Sequence, residues 1–138
     1  MVLNKKDIVE HSMEHVFVYG TLLSSLHNHY LLKDSLFIGY FESKQRMIMF
    51  CSGIPYVFTH PAKYPIKGEI YEVNKSTLAR LDSLEGHPHW YKRDKKWFTN
   101  GVLEKRAWIY IMPPENHLSD NAVLLKNGDF RSYRNGLL

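Results

Sequence analysis

With one cysteine, Cys51, in 138 residues the chain cannot close an internal disulfide, which excludes a cross-linked secreted scaffold. Cys51 follows the apolar run Arg46-Met47-Ile48-Met49-Phe50 and reads as a small buried hydrophobe, with a nucleophilic role as the alternative. Also missing is any apolar run near the roughly 20 residues of a membrane-spanning helix, and residues 1–15 are too polar for a secretory leader. A cytoplasmic protein with no membrane association is expected. Charge of one sign is in short supply too. Eighteen Lys and Arg against fourteen Asp and Glu leave +4, with bases and acids interleaved in Lys92-Arg93-Asp94-Lys95-Lys96 and Glu104-Lys105-Arg106. That pattern steers small anions mildly and lacks the basic stripe that a nucleic-acid partner needs, so no nucleic acid is expected. The pairs His27-x-His29 and His87-x-His89 have none of the cysteine or carboxylate company of a metal motif and are expected in surface loops. There is no repeat and no low-complexity segment.

What is present is 44% hydrophobic and 14% aromatic, enough for one domain with a real core. Residues 1–14 are a polar lead-in, read as an N-terminal extension, and 15–138 form a single domain. His15-Val16-Phe17-Val18-Tyr19 is β-branched and aromatic and reads as a strand stopping at Gly20-Thr21-Leu22. Such a turn exposes successive N–H groups, Gly20 through Leu23, that can cradle a carboxylate or an oxyanion; strands also end in Gly-Thr for turn geometry alone. Residues 27–33 read as a short helix. Strand-like runs follow at 36–41, 46–50, 56–59 and 66–73, the last containing Gly68, which marks a bulge or a close approach to the backbone. Residues 91–99 and 102–112 flank Asn100-Gly101, a two-residue hairpin signal, and Pro113-Pro114 ends the pair. The remainder is short-element or loop territory. Six or more short strands with two modest helices, joined by turns and not by helical crossovers, give an α+β class with a curled or barrel-like sheet and disfavour a doubly wound parallel fold.

The stretch Leu81-Asp82-Ser83-Leu84-Glu85-Gly86-His87-Pro88 carries the chemistry. At about 100° per residue, a helix over 74–85 places Glu85 between Leu78 and Leu81 on its apolar face. Gly86 and Pro88 end the helix there, near the negative end of its dipole. Desolvation and dipole both raise the pKa of such a carboxyl toward that of a general acid/base at neutral pH. The alternative is a helix-end Glu bent out to solvent, or paired with a neighbour such as Arg93.

Val18-Tyr19-Gly20-Thr21-Leu22, Gly53-Ile54-Pro55, Gly68-Glu69-Ile70-Tyr71, Leu81-Asp82-Ser83-Leu84-Glu85 and Tyr91-Lys92-Arg93, in that order, resemble the γ-glutamylcyclotransferase-like superfamily. The nearest branch is that of the γ-glutamylamine cyclotransferases (AIG2-like), over about residues 16–134. Each motif alone is loose; the ordered set is specific. The resemblance implies a small mixed β-barrel with flanking short helices, no metal or cofactor, and a monomer or weak homodimer. Its partner is a small-molecule γ-glutamyl substrate, and its reaction, of transferase or lyase type, releases 5-oxoproline as the substrate's α-amine attacks its own γ-carbonyl. It also implies Glu85 as the catalytic acid/base. Tyr19, Gly20, Thr21 and Leu22 would bind the substrate, together with Tyr91 and Tyr133, each tyrosine being otherwise an ordinary core or strand aromatic. Relatives often continue Tyr-Gly-Thr-Leu with a basic residue and a glycine, whereas this chain has Leu23-Ser24-Ser25-Leu26, so the leaving amine is left open. A non-catalytic small-molecule-binding domain retaining the carboxylate cradle is the alternative function.

Overall fold

The structure, a computed structural model, describes residues 12–136. Most of the polar lead-in therefore lies outside the described residues, and Met13 and Glu14 already belong to the first strand. In chain order the elements are β1 (Met13–Val18), a 3-10 turn (His29–Leu32), β2 (Leu36–Ser43), β3 (Ile48–Ser52), β4 (Ile54–Phe58) and β5 (Lys67–Asn74). Then follow α1 (Lys75–Glu85), β6 (Lys92–Thr99), β7 (Glu104–Ile111), β8 (Val123–Leu124) and α2 (Phe130–Arg134).

Five strands close a barrel in the order β1-β5-β2-β6-β7. Four of its pairings are antiparallel, and the seam is parallel, Val16 opposite Trp108 and Phe17 opposite Ile109. A parallel pair cannot be joined by a tight turn, and here almost the whole chain serves as the crossover. β4, β3 and β8 form a separate three-stranded antiparallel sheet beside the barrel. The α+β class and the small mixed barrel are as expected from the sequence; the second sheet and the short β8 are additions to it.

Side chains on the inner faces fill the barrel. Phe17 and Phe98 are fully buried and stacked, with ring centroids 4.1 Å apart, so truncating Phe17 to alanine should cost about 3–5 kcal/mol. Gly68 proves to be a point of close approach: a Cβ there would stand 2.2 Å from the Val18 carbonyl oxygen and 2.7 Å from Phe17 Cζ. The irregularity in the β2–β5 ladder lies elsewhere, between Phe37 and Gly39.

Two local expectations are corrected. The β6–β7 hairpin forms, but Thr99 pairs with Glu104, so its loop is the four residues 100–103 and not a two-residue Asn-Gly turn. Asn100 explains the longer loop, since its Oδ1 accepts from the N–H groups of Val102 and Leu103 at 2.9 and 2.7 Å and satisfies donors that a tight turn would exclude. The helix expected over 27–33 contracts to one 3-10 turn. Asn28 does not cap it with its side chain, whose Nδ2 donates to Thr21 Oγ1 at 2.8 Å.

Helix α1 matches expectation at both ends. Asn74 Oδ1 accepts from Thr77 N–H at 2.7 Å, and Gly86 takes the left-handed C-cap conformation at φ 65°, which favours glycine. Thr77, Leu78 and Leu81 are its buried residues. Among the described residues no helix is long and apolar enough to cross a membrane.

Candidate active site

Glu85 is the last residue of α1, and the chain doubles back directly after it. His87-Pro88 is a cis peptide, Trp90 packs against the Gly86 cap, and the Tyr91 N–H donates to the Glu85 carbonyl at 3.1 Å. This fold-back lays Tyr91 beside Glu85. The carboxyl faces inward, into a cavity of about 40 Å³ shared with Tyr19, Gly20, Thr21, Leu22 and Tyr91. No hydrogen bond or ion pair to it occurs among the described residues, and burial alone raises its pKa from 4.5 to about 7. Neither alternative for this residue is realised. It is not turned out to solvent, and Arg93 is engaged elsewhere: its Nε donates to Asp82 Oδ1 at 2.8 Å and its guanidinium lies 4.2 Å from the Trp108 ring centroid.

The hydroxyls of the surrounding tyrosines are spent on the protein. Tyr19 donates to the Tyr110 carbonyl at 2.5 Å, Tyr91 to the Pro55 carbonyl at 2.8 Å, and Tyr110 to Asp82 Oδ1 at 2.7 Å. Each of these phenols is pushed upward in pKa, first by burial. None of those hydroxyls donates to Glu85, so its carboxyl stays unpaired as well as desolvated. Tyr56 extends the aromatic wall by stacking on Tyr91, with centroids 5.6 Å apart.

In the same cavity wall, the end of β1 turns at Gly20. The Leu23 N–H closes that turn on the Gly20 carbonyl at 3.0 Å, which withdraws Leu23 from the cradle. The N–H groups of Gly20, Thr21 and Leu22 have no acceptor among the described residues, which leaves three successive donors for an anion. The loop beyond them is tied down: Asn28 N–H donates to the Thr21 carbonyl at 2.8 Å, and His29 Nδ1 lies 2.9 Å from the Leu22 carbonyl.

Tyr133 does not join the cavity. It sits on α2, half-buried against the core, and that helix is fastened through Arg131 to Ser24 and Glu69. The cavity wall also includes residues that are not among the expected site residues: Phe17, Val18, Ile54, Pro55 and Tyr110. Ile54 and Pro55 had a signal, since Gly53-Ile54-Pro55 is one of the ordered motifs. Tyr110 had none, because its contact with α1, through Asp82, joins elements 28 residues apart in sequence. The histidines disperse: His29 holds the loop as above, His87 Nδ1 accepts from the Arg93 N–H at 3.2 Å, and His27 and His89 are exposed. Cys51 is free and buried, and burial pushes its thiol pKa up, which is the opposite of what a nucleophile needs.

One cavity of this small closed barrel thus holds an unpaired carboxyl with a pKa of about 7 together with a turn whose three successive amides are free among the described residues. The chain belongs to the family "Gamma-glutamyl cyclotransferase, AIG2-like", whose sequence model matches residues 16–132. It is 40% identical over 124 residues to a Methanocaldococcus jannaschii protein provisionally named as a gamma-glutamylcyclotransferase, covering 88% of this chain and 99% of that one. It is 38% identical over 90 residues to the gamma-glutamylaminecyclotransferase of Rattus norvegicus, covering 59% of this chain and 60% of the rat protein. Its fold superposes on the crystal structure of an AIG2-like protein of Mus musculus with a TM-score of 0.74 at 26% identity, over 86% of this chain and 90% of the mouse chain.

Proposed function

We propose that the protein is a cyclotransferase releasing 5-oxoproline from a γ-glutamyl amine or a related γ-glutamyl amide, with Glu85 as general acid/base. The observation that supports this reading is the shared cavity: an unpartnered carboxyl with a pKa of about 7 lines it together with Gly20, Thr21 and Leu22, whose amides are free among the described residues.

The chemistry requires no protein nucleophile. The ionised Glu85 carboxylate takes a proton from the substrate's α-ammonium, and the freed amine attacks the γ-carbonyl carbon, forming the lactam C–N bond. The negative oxygens of the substrate lie against the three amides, whose fixed dipoles cost no reorganisation in the reaction. Glu85 returns that proton to the departing nitrogen as the original amide C–N bond breaks, takes the second proton from the ring nitrogen and passes it to the leaving amine, giving 5-oxoproline and a protonated amine. Folding the γ-glutamyl arm so that amine and carbonyl meet is the remaining contribution, an orientation effect worth several kcal/mol. The ring faces of Tyr19 and Tyr91 exclude water from this exchange.

The test is incubation with γ-glutamyl-ε-lysine, other γ-glutamylamines, γ-glutamyl dipeptides and glutathione, followed by assay for 5-oxoproline. Turnover of at least one γ-glutamyl amide is expected, and its products name the leaving amine. Tight 5-oxoproline binding with no turnover across the panel would show the non-catalytic binding domain instead.

A further inference from the structure

The barrel buries a second carboxylate, and its partners gather on one residue of the cradle loop. Glu69, on β5, is 1% exposed and accepts four hydrogen bonds. Its Oε1 takes the Ser24 N–H and the Tyr71 hydroxyl, each at 2.9 Å; its Oε2 takes the Ser24 hydroxyl and Arg131 Nη2, each at 3.0 Å. The same Arg131 nitrogen reaches the Ser24 carbonyl at 2.8 Å and the Ser24 hydroxyl at 3.1 Å. Every polar group of Ser24 is therefore held by this one ion pair.

Burying such a pair is a poor way to gain stability, because desolvation consumes most of the Coulomb attraction. What the arrangement supplies is geometry. Ser24 stands two residues beyond Leu22, and the residue between them, Leu23, is buried with its N–H on Gly20. One flank of the three free amides is thus pinned by Glu69 and Arg131, and the other by strand β1. Neither charged side chain borders the Glu85 cavity; both line a separate concavity of about 450 Å³. They act through the loop and not on the substrate.

We propose that Glu69 and Arg131 are positioning residues for substrate binding, holding Ser24 so that the amides of Gly20, Thr21 and Leu22 converge on the substrate's anionic group. The inference rests on the cyclotransferase reading above. It also gives the C-terminal helix, which contributes nothing to the cavity wall, a part in ligand affinity.

The test compares wild type, Glu69→Gln, Arg131→Ala and Arg131→Lys in turnover of the best γ-glutamyl amide and in calorimetric binding of 5-oxoproline. Val73→Ala, a fully buried position on the same strand, serves as a control for destabilisation alone. In Glu69→Gln and Arg131→Ala, KM and the 5-oxoproline Kd should rise about tenfold or more while kcat changes less than about threefold. The pH limb set by Glu85 should stay in place, and Arg131→Lys should fall between wild type and Arg131→Ala. Arg131→Ala leaves the buried Glu69 without its cation, so a thermal melt accompanies each variant, and Arg131→Lys, which keeps a cation on a side chain one-third exposed, supplies the folded comparison. The proposal is overturned if folded Arg131→Ala keeps KM and Kd within twofold of wild type, or if Val73→Ala raises both by as much. A wild type that neither turns over nor binds any γ-glutamyl compound would instead remove the cyclotransferase reading, and this inference with it.

Discussion

The pyrrolidine ring of Pro55 rests against Gly20: a Cβ added at residue 20 would stand 2.8 Å from Pro55 Cγ and 3.2 Å from its Cδ. Pro55 has little freedom to yield, since its carbonyl is held by the Tyr91 hydroxyl. Gly20→Ala should therefore displace the cradle before it unfolds the protein. We expect KM for the γ-glutamyl substrate to rise at least about tenfold, with a stability loss of roughly 1–3 kcal/mol typical of overpacking. Steady-state kinetics and a thermal melt of the one variant check both.

Glu85→Gln keeps size and hydrogen bonding but cannot carry a proton, so kcat should fall by about two orders of magnitude or more while 5-oxoproline binding changes little. Its stability should depend on pH with a defined sign. Between pH 4.5 and about 7 the unfolded chain ionises Glu85 while the folded protein still keeps it protonated, so wild-type stability falls as pH rises through that window. The Gln variant lacks this loss. Denaturant melts should show it more stable than wild type at pH 8, by at most about 3 kcal/mol, and equal to it near pH 4. A fully active Gln protein would sink the catalytic assignment.

Arg93→Ala separates stabilisation from catalysis. The Arg93–Asp82 pair is about four-fifths buried on both sides, so its loss should destabilise by roughly 1–3 kcal/mol. Because Arg93 does not touch Glu85, the rising limb of kcat/KM near pH 7 should stay where it is. A limb displaced by more than about half a pH unit would mean that the two groups communicate.

Ser25 is the non-glycine residue with positive φ, at 67°, among the described residues, and it is exposed. A left-handed conformation costs an L-residue roughly 1–2 kcal/mol, partly offset by glycine's larger entropy in the unfolded chain. Ser25→Gly should leave kinetics unchanged and hold or raise stability by up to about 1 kcal/mol, as read from the denaturation midpoint.

The fate of individual residues shows how much of this was legible in sequence. Glu85 was readable because helical period, N-cap and C-cap are local signals, and they fixed both its face and its place at the helix end. The Gly20 turn was readable for the same reason, and Gly68 announced a close approach without naming Val18 as the neighbour. Tyr133 was misplaced and Tyr110 missed. Both failures concern which distant element a side chain meets, and no spacing along the chain encodes that. The Glu69–Ser24–Arg131 cluster joins three separate parts of the sequence; Glu69 stands in one of the ordered motifs, but its pairing with Ser24 and Arg131 was equally invisible. Asn100 misled in a different way, because its side chain served the loop's own amides and so favoured four residues over two.

The parallel seam between β1 and β7 has a consequence for synthesis. As the chain leaves the ribosome, β1 emerges before its partners and β5 can pair with one of its edges, but the other edge waits for residues 108 and 109. Until then a strand carrying Val16, Phe17 and Val18 has an unpaired side, which is a template for association with other chains. The cradle at the end of that strand is likewise incomplete, since its wall includes Tyr110. Chains cut short before Glu104 should thus be inactive and prone to aggregate, and the competent site should arise late, in one step with closure of the barrel.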